Sequence, residues 1–209
     1  MSTTLFNKKL LVEGKDDQHV IWALCNQFKI PENFSIIDCE GIEKLIERIP
    51  VELKASGIET IGIVVDADVA LSSRWQSISQ LLLNQGYVLP TILPNDGLII
   101  SSTGKVKIGV WIMPNNNING MIEDFITFLV PEGDKLMSIA KSTLETIESD
   151  KSNRYSLIHK SKARIHTWLA WQETPGTPMG SALTRRYLSI EHETCKRFAD
   201  WLFNTFESN

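Results

Sequence analysis

The stretch Ile61-Gly-Ile-Val-Val-Asp-Ala-Asp68 decides the fold that we predict, because an unbroken apolar run ends in two carboxylates. Such a run is typical of a strand that is buried on both faces of a parallel sheet. An earlier run, Leu10-Leu-Val12, ends in Glu13 in the same way. Because ligands of open α/β sheets bind beyond the carboxyl ends of the strands, we expect Glu13, Asp66 and Asp68 to share one site.

The first two thirds of the chain alternate between short apolar runs and helical patterns. Strands are predicted at residues 9–12, 35–39, 60–65, 87–93 and 106–113. Helices are predicted after Gly14, after Gly41 and from Ser73 to Asn84, where apolar residues recur every three or four positions. Connections of this length favour right-handed crossovers, so we predict an α/β fold with a mostly parallel sheet and helices on both faces.

The later part of the chain has a different pattern. Leu98–Ser101 and Val106–Met113 flank a turn and predict a hairpin at one edge of the sheet. Beyond residue 130 the pattern is helical to the end. We therefore predict an α/β domain at residues 1–130 and a helical extension at residues 131–209 that packs on it.

Composition excludes some classes of function. The 209 residues are 43% hydrophobic and carry a formal net charge of −4, so nucleic acid would have to be held by a local basic patch or through metal ions. The three cysteines are far apart and lack the paired spacing that a structural zinc site or a redox dithiol requires, so we predict neither. Neither a signal segment nor a run of about 20 apolar residues is present, so we expect a cytoplasmic protein without membrane contact.

The carboxylates of Asp66 and Asp68, with Glu13 as a third ligand, indicate a metal site at the strand ends. Asp66 and Asp68 are two residues apart, and in an extended chain such residues point to the same side. Mg²⁺, or Mn²⁺ in its place, prefers oxygen ligands, and a pair of ions can stabilise both the attacking and the leaving oxygen of a phosphodiester. The alternative is that Asp66 and Asp68 only end the strand and cap the next turn of the chain.

These two motifs resemble those of the Toprim domain. Val12-Glu-Gly-Lys-Asp-Asp17 and Val64-Val-Asp-Ala-Asp68 match its two signatures in order, and the resemblance covers roughly residues 8 to 130. It implies that Glu13 is a general acid or base and that Asp66 and Asp68 bind magnesium. Through Gly109-Val-Trp-Ile-Met-Pro-Asn115 and Trp168-Leu-Ala-Trp-Gln172, the whole chain also resembles compact stand-alone Toprim-like proteins related to OLD nucleases. The sequence lacks a phosphate-binding Gly-x-x-x-x-Gly-Lys-[Ser/Thr] loop, so we expect no counterpart of the OLD ATPase part within these 209 residues.

Four further residues near the motifs are candidates for the site. Glu123 and Asp124 begin a predicted helix and lie near its boundary or on its exposed side. Acidic residues are favourable at the positive N-terminal end of a helix dipole, which alone would explain both. The resemblance to OLD nucleases adds metal binding for both. Asp17 is a further metal candidate, which helix capping would explain equally well. Lys15 could contact a phosphate or be a solvated loop lysine.

Basic residues in the second half of the chain are candidates for binding nucleic acid. The candidates are Lys160, Lys162, Arg164, Arg185 and Arg186. A solvated helix face explains the same charges, and we favour that interpretation.

Our first hypothesis is a Mg²⁺- or Mn²⁺-dependent enzyme that cleaves or transfers phosphodiesters in nucleic acid. A binding module for nucleotides or nucleic acid, without catalysis, is the second hypothesis, and a subunit that needs a partner ATPase is the third. Two-fold association is compatible with each of them. Motifs of zinc hydrolases, serine hydrolases and dinucleotide-binding enzymes are absent from the sequence.

Overall fold

A five-stranded mixed sheet forms the centre of the computed structural model, which describes residues 6–207. The strands are β1 (Lys8–Val12), β2 (Ser35–Asp38), β3 (Thr60–Asp66), β4 (Leu98–Ile100) and β5 (Lys107–Met113). Their order is β2-β1-β3-β5-β4, and only β4 runs antiparallel, against β5. The predicted α/β class is confirmed, and so is the predicted edge hairpin.

Helices cover both faces of this sheet. They are α1 (Lys15–Phe28), α2 (Ile42–Leu53), α3 (Leu71–Asn84), α4 (Ile122–Phe128), α5 (Lys135–Ser149), α6 (Lys160–Ala170), α7 (Met179–Thr184) and α8 (Glu193–Phe206), with a 3-10 turn at Leu157–His159. One apolar core joins the sheet to α1 and to α4–α8, and a second core on the other face joins it to α2 and α3. Among residues 6–207, no helix has both the length and the apolar character that crossing a membrane requires.

The helix boundaries follow the predicted stripes but differ in their caps. Gly14 is the N-cap residue of α1, and the capping role predicted for Asp17 is met from the third position of the helix. Asp17 lies in the first turn of the helix and accepts a hydrogen bond from the Gly14 amide at 3.1 Å. Helix α2 continues past Pro50, a residue type that tends to end or kink a helix, and ends at Leu53.

The predicted strand at residues 87–93 is wrong. This segment is irregular, and Val88 and Ile92 are 88% and 81% exposed. Pro90 lies within it and Pro94 follows it, and each proline lacks the amide proton that a sheet ladder needs. The segment is held instead by Tyr87 and Leu93, which are buried in the second core, and by the hydrogen bond of 3.1 Å from the Trp75 indole to the Thr91 carbonyl.

Two glycines let helix α8 lie close to the sheet. Gly62 in β3 and Gly109 in β5 are register partners. A methyl group on Gly109 would come within 2.6 Å of Thr205 Cγ2, and one on Gly62 within 2.8 Å of the Phe206 ring. The last helix therefore belongs to the same apolar core as the strands. The division of the chain at residue 130 stays a prediction.

The strand order creates a crevice between β1 and β3. From β1 the chain moves outward to β2 and then returns past β1 to form β3. Helix α1, after β1, and helix α3, after β3, consequently lie on opposite faces of the sheet. Such a reversal leaves a gap beyond the carboxyl ends of the two strands, where ligands of α/β proteins bind. Glu13 follows β1 directly, and Asp66 is the last residue of β3.

Candidate functional site

An acidic cavity of about 420 Å³ lies at this crevice. Its acidic lining residues are Glu13, Asp16, Asp17, Asp66, Asp68 and Glu123. The basic side chains of Lys15, His159 and Lys162 also line it. The structure thus brings together three predicted acids from strand ends with two others, Asp17 and Glu123, from the starts of helices.

Glu13 and Asp66 are joined directly, although 53 residues separate them in the sequence. The Asp66 amide donates a hydrogen bond of 2.7 Å to Oε1 of Glu13. The Asp66 carboxylate in turn accepts, through Oδ1, a hydrogen bond of 2.9 Å from the Ile122 amide at the start of α4. Each carboxylate is therefore oriented through one oxygen. Among residues 6–207, the second oxygen of each receives no hydrogen bond.

Asp17 is the most deeply buried acid from α1 in this cavity. Its exposure is 5%, and its Oδ1 has no hydrogen-bond partner within residues 6–207. Burial, together with repulsion from Glu13 and Glu123, raises the pKa of Asp17 from 3.8 to about 7, although the Gly14 amide opposes the rise. An uncompensated carboxylate in such a place is costly unless it binds a proton or a cation.

The pKa values of Glu13 and Asp66 rise for similar reasons. Burial raises the pKa of Glu13, and the Asp66 amide and Arg74 partly offset this effect. Burial followed by repulsion from Asp17 and Glu13 raises the pKa of Asp66 well above its ordinary value. Within residues 6–207, no ion pair joins a cation to Glu13, Asp17 or Asp66. The centre of the site is thus a group of acids that repel one another.

Asp68 adopts a conformation that the sequence did not predict. Its φ of 51° is left-handed, so the extended backbone that the prediction assumed ends before Asp68, although Asp66 and Asp68 both line the cavity. Mutual backbone hydrogen bonds of 2.8 Å with Gly120 hold Asp68 in this position. Its carboxylate accepts a hydrogen bond of 2.7 Å from Arg74 Nη2. Asp68 lines the cavity through the turn that follows β3 and not through the strand itself.

Glu123 and Asp124 have different surroundings although they are adjacent in α4. Glu123 is only 3% exposed, so a place on the exposed side of its helix is wrong for this residue. Its Oε1 forms an ion pair of 3.1 Å with Lys162 Nζ. Asp124 is not a lining residue: it accepts hydrogen bonds from the Met121 amide and from Ser161, and Arg164 lies 3.5 Å away.

The five basic candidates separate into different parts of the surface. Lys162 lines the cavity, and burial opposes its charge, but the attraction and hydrogen bond of Glu123 raise its pKa above the ordinary value. Lys160 pairs with Glu148 at 2.6 Å, outside the cavity. Neither Arg185 nor Arg186 lines the cavity, and Arg185 donates to Thr174 Oγ1 at 3.3 Å. The structure therefore does not bring these five residues together.

Sequence reasoning missed two residues of the site. Arg74 contacts the Asp66–Asp68 turn from the first turns of α3, and no local pattern distinguishes it from a surface arginine. His159 lines the cavity at the end of the 3-10 turn. The cluster of positive charge around residues 159–166 was a signal for His159, but it did not indicate which of its members would reach the acids.

The residues of the cavity fit a hard divalent cation in chemistry but do not form a finished cage. Among residues 6–207, no three acidic, histidine or cysteine side chains lie close enough together to make a ready metal site. Mg²⁺, however, keeps several waters and needs only one or two carboxylates. The oxygen-only acids and the unpartnered Oδ1 of Asp17 suit such an ion. Binding would then require small side-chain movements.

Comparison with known proteins identifies a family. Residues 7–207 match the family described as "Protein of unknown function (DUF3226)", and the chain belongs to it. No curated protein matches the chain. Among solved structures, it is similar to the C-terminal region of the Xanthomonas campestris pv. campestris OLD protein, with 16% identity and a TM-score of 0.38. The similarity covers 98% of this chain and 88% of the other, and at that TM-score it carries no argument about function.

Proposed function

We propose that this member of the DUF3226 family is a divalent-metal-dependent enzyme of the Toprim type that cleaves or transfers phosphodiesters in nucleic acid. The observation that carries the proposal is the joining of Glu13 and Asp66, 53 residues apart, at the crevice between β1 and β3. Both belong to the motifs that resemble Toprim signatures. Acids concentrated at a crevice, with raised pKa values, are a mark of functional sites.

Glu13 is the residue that we propose to move the proton. Its burial raises its pKa, so it holds a proton closer to neutral pH than a solvated glutamate does. The Asp66 amide fixes Oε1 and leaves Oε2 for exchange with a reacting oxygen. A general acid or base works best when its pKa is close to the working pH. The burial of Glu13 raises its pKa towards neutral pH.

Asp66, Asp17 and Asp68 are the residues that we propose to hold Mg²⁺ or Mn²⁺, with Glu123 as a further ligand. Once bound, the ion would polarise the phosphate and lower the pKa of an attacking water. The first turns of α1 and α4 contribute Asp17 and Glu123, so closure of the site depends on the positions of both helices. Asp124 is left out of this set because its carboxylate contacts Ser161 and Arg164.

Lys15 and Lys162 are the cations that we propose to contact the phosphates. Both line the cavity, and the side chain of Lys162 is 49% exposed although it pairs with Glu123. A lysine supplies a compact charge that can contact either a phosphate or a carboxylate. Lys160 and Arg164 are already paired with acids, so we propose no direct role for them.

A second candidate function, a metal-dependent binding module without catalysis, is favoured by one observation. Arg74 already pairs with Asp68 at 2.7 Å, which reduces the charge that Asp68 can offer to an ion. A site weakened in this way could hold a nucleotide through its phosphates without the ion geometry that cleavage needs. Calorimetric titration with nucleotides and Mg²⁺, combined with assays of turnover, separates the two functions.

A cleavage assay tests the first proposal. Wild-type protein should cut single- or double-stranded DNA or RNA with Mg²⁺ or Mn²⁺ and lose the activity in EDTA. Glu13→Gln and Asp66→Asn should each lower the rate at least about 100-fold, since each removes a group that acts in the transition state. Glu47→Gln and Asp200→Asn are the matched controls, because both acids are exposed, in α2 and α8, and neither lines the cavity. Full activity in Glu13→Gln and Asp66→Asn would reject the roles assigned to them.

A further inference from the structure

Arg74 is the one arginine whose side chain reaches into the turn between Asp66 and Asp68, within the part of the chain that the structure describes. Its Nε donates to the Asp66 carbonyl at 2.8 Å and its Nη2 to Asp68 Oδ2 at 2.7 Å. The guanidinium thus uses two nitrogens on two groups of one turn, whereas a lysine has a single terminal nitrogen. Only 16% of the Arg74 side chain is exposed, against 36% for Asp68.

The position of Arg74 in its helix is unfavourable for a cation. Helix α3 begins at Leu71, and the Arg74 amide donates to the Ala70 carbonyl, so Arg74 lies at the positive end of the helix dipole. No acidic residue lies in the first turn of α3 to compensate. The attraction that holds the side chain there comes from the preceding Asp66–Asp68 turn, through the Asp68 carboxylate and the Asp66 carbonyl. Arg74 also lowers the pKa of Glu13, so its charge is felt beyond Asp68.

The charges of the cavity are divided between paired and unpaired acids. Asp68 pairs with Arg74, and Glu123 pairs with Lys162. Glu13, Asp17 and Asp66 have no ion pair among residues 6–207. A divalent ion that enters the centre meets three free acids, but it also meets the charge of Arg74 beside Asp68. Two cations that share one group of acids weaken each other's binding.

We propose that Arg74 is a built-in counter-cation of the acidic site, which competes with the divalent ion for Asp68 and thereby lowers the affinity of the site for that ion. The inference rests on the proposed function, because it assumes that the site takes such an ion. Arg74 is a positioning residue: it holds the Asp68 carboxylate when no ion is bound, whereas the backbone bonds to Gly120 hold the left-handed φ of Asp68. Its Nε bond to the Asp66 carbonyl does not involve a carboxylate, so the side chain stays at the site when the Asp68 contact is released.

The alternative role is purely structural, with Arg74 holding Asp68 in the position that the ion needs. The two roles predict opposite effects on metal binding. Loss of a competing charge makes binding tighter, whereas loss of a support for Asp68 makes it weaker. Arg74→Gln removes the charge and keeps much of the side-chain length. Arg74→Lys keeps the charge and loses the two-point contact.

Calorimetric titration with Mn²⁺ alone, on full-length protein stripped with EDTA, is the experiment. Arg74→Gln should bind Mn²⁺ at least about tenfold more tightly than wild type, since a neighbouring unit charge is removed. Arg74→Lys should stay within about threefold of wild type. Arg48→Gln is the matched control, because Arg48 pairs through Nε with Glu52 in α2, away from the cavity, and it should leave the Mn²⁺ affinity unchanged.

Thermal unfolding without metal gives a second readout. Arg74→Gln should unfold at a lower temperature than wild type in EDTA, and saturating Mn²⁺ should remove most of that difference. If wild type binds Mn²⁺ and Arg74→Gln binds it equally or more weakly, the counter-cation role is wrong and the proposed function is untouched. If none of the folded proteins binds Mn²⁺, the proposed function fails, and the role of Arg74 fails with it.

Discussion

Replacing Asp17 with asparagine should stabilise the metal-free protein at alkaline pH. The pKa of Asp17 is raised from 3.8 to about 7 in the folded state. Between these two pH values, the folded state keeps a proton that the unfolded state has already released. The stability that Asp17 contributes is therefore fully present below pH 3.8 and is lost as the pH rises through about 7. An asparagine carries no charge, and its side-chain oxygen can still accept the hydrogen bond from the Gly14 amide.

The size of the effect follows from the pKa. A rise from 3.8 to about 7 corresponds to about 4 kcal/mol, because one pKa unit is about 1.4 kcal/mol. Part of this belongs to the neighbouring acids, and water and side chains can relax around the charge. We expect a gain of about 2–4 kcal/mol in the free energy of unfolding for Asp17→Asn at pH 8.

Urea unfolding in EDTA at pH 5 and pH 8 measures this gain. Wild type should lose stability between the two pH values, whereas Asp17→Asn should lose less. Asp16→Asn, which removes an acid from the same helix turn but from an exposed position, should show no gain at pH 8. Equal stabilities of Asp17→Asn and wild type at pH 8 would refute the claim that burial and repulsion oppose the charge of Asp17.

Three further outcomes are expected. Gly109→Ala should lower the free energy of unfolding by about 1–3 kcal/mol, because its methyl group would lie 2.6 Å from Thr205 Cγ2, and adding Thr205→Ala should recover part of the loss in chemical denaturation. Lys162→Gln should destabilise the metal-free protein at pH 8 by about 1 kcal/mol, since it leaves the buried Glu123 without its ion partner. The loss stays small because the Lys162 side chain is half-exposed. An unchanged urea midpoint would contradict this expectation. The three cysteines are buried, and burial raises the thiol pKa of Cys25 and Cys195 to about 12 and that of Cys39 to about 11, so a thiol reagent at pH 8 should react with them only after unfolding.

The sequence was sufficient to predict the sheet and the meeting of Glu13 with Asp66. Both follow apolar runs, and the rule that parallel strands end at one edge does not depend on the details of packing. The edge hairpin was predictable because a polar turn separates two apolar runs. The 87–93 segment has the same apolar character, but its prolines prevent a ladder, and apolar content alone does not show this.

The arrangement of charges in the site could not be predicted from the sequence. The left-handed φ of Asp68 is imposed by its bonds to Gly120, more than fifty residues later in the chain. The burial of Glu123 depends on how α4 and α6 pack, and the contact of Arg74 depends on where α3 begins. Each of these is decided by tertiary contacts between distant segments, and local spacing carries no information about them.

The glycine pair under helix α8 has a consequence for how mutations in this protein are interpreted. Gly62 lies four residues before Asp66 on β3, a span of about 13 Å in an extended strand. A larger side chain at Gly62 would push α8 outward or shift β3 along its neighbouring strands. A shift of β3 would move Asp66 away from Glu13. A mutational scan for activity would then identify Gly62 as important although it does not line the cavity. If the proposed function is right, loss of turnover in a Gly62 variant would result from a shift of β3 and not from a lost contact with the substrate.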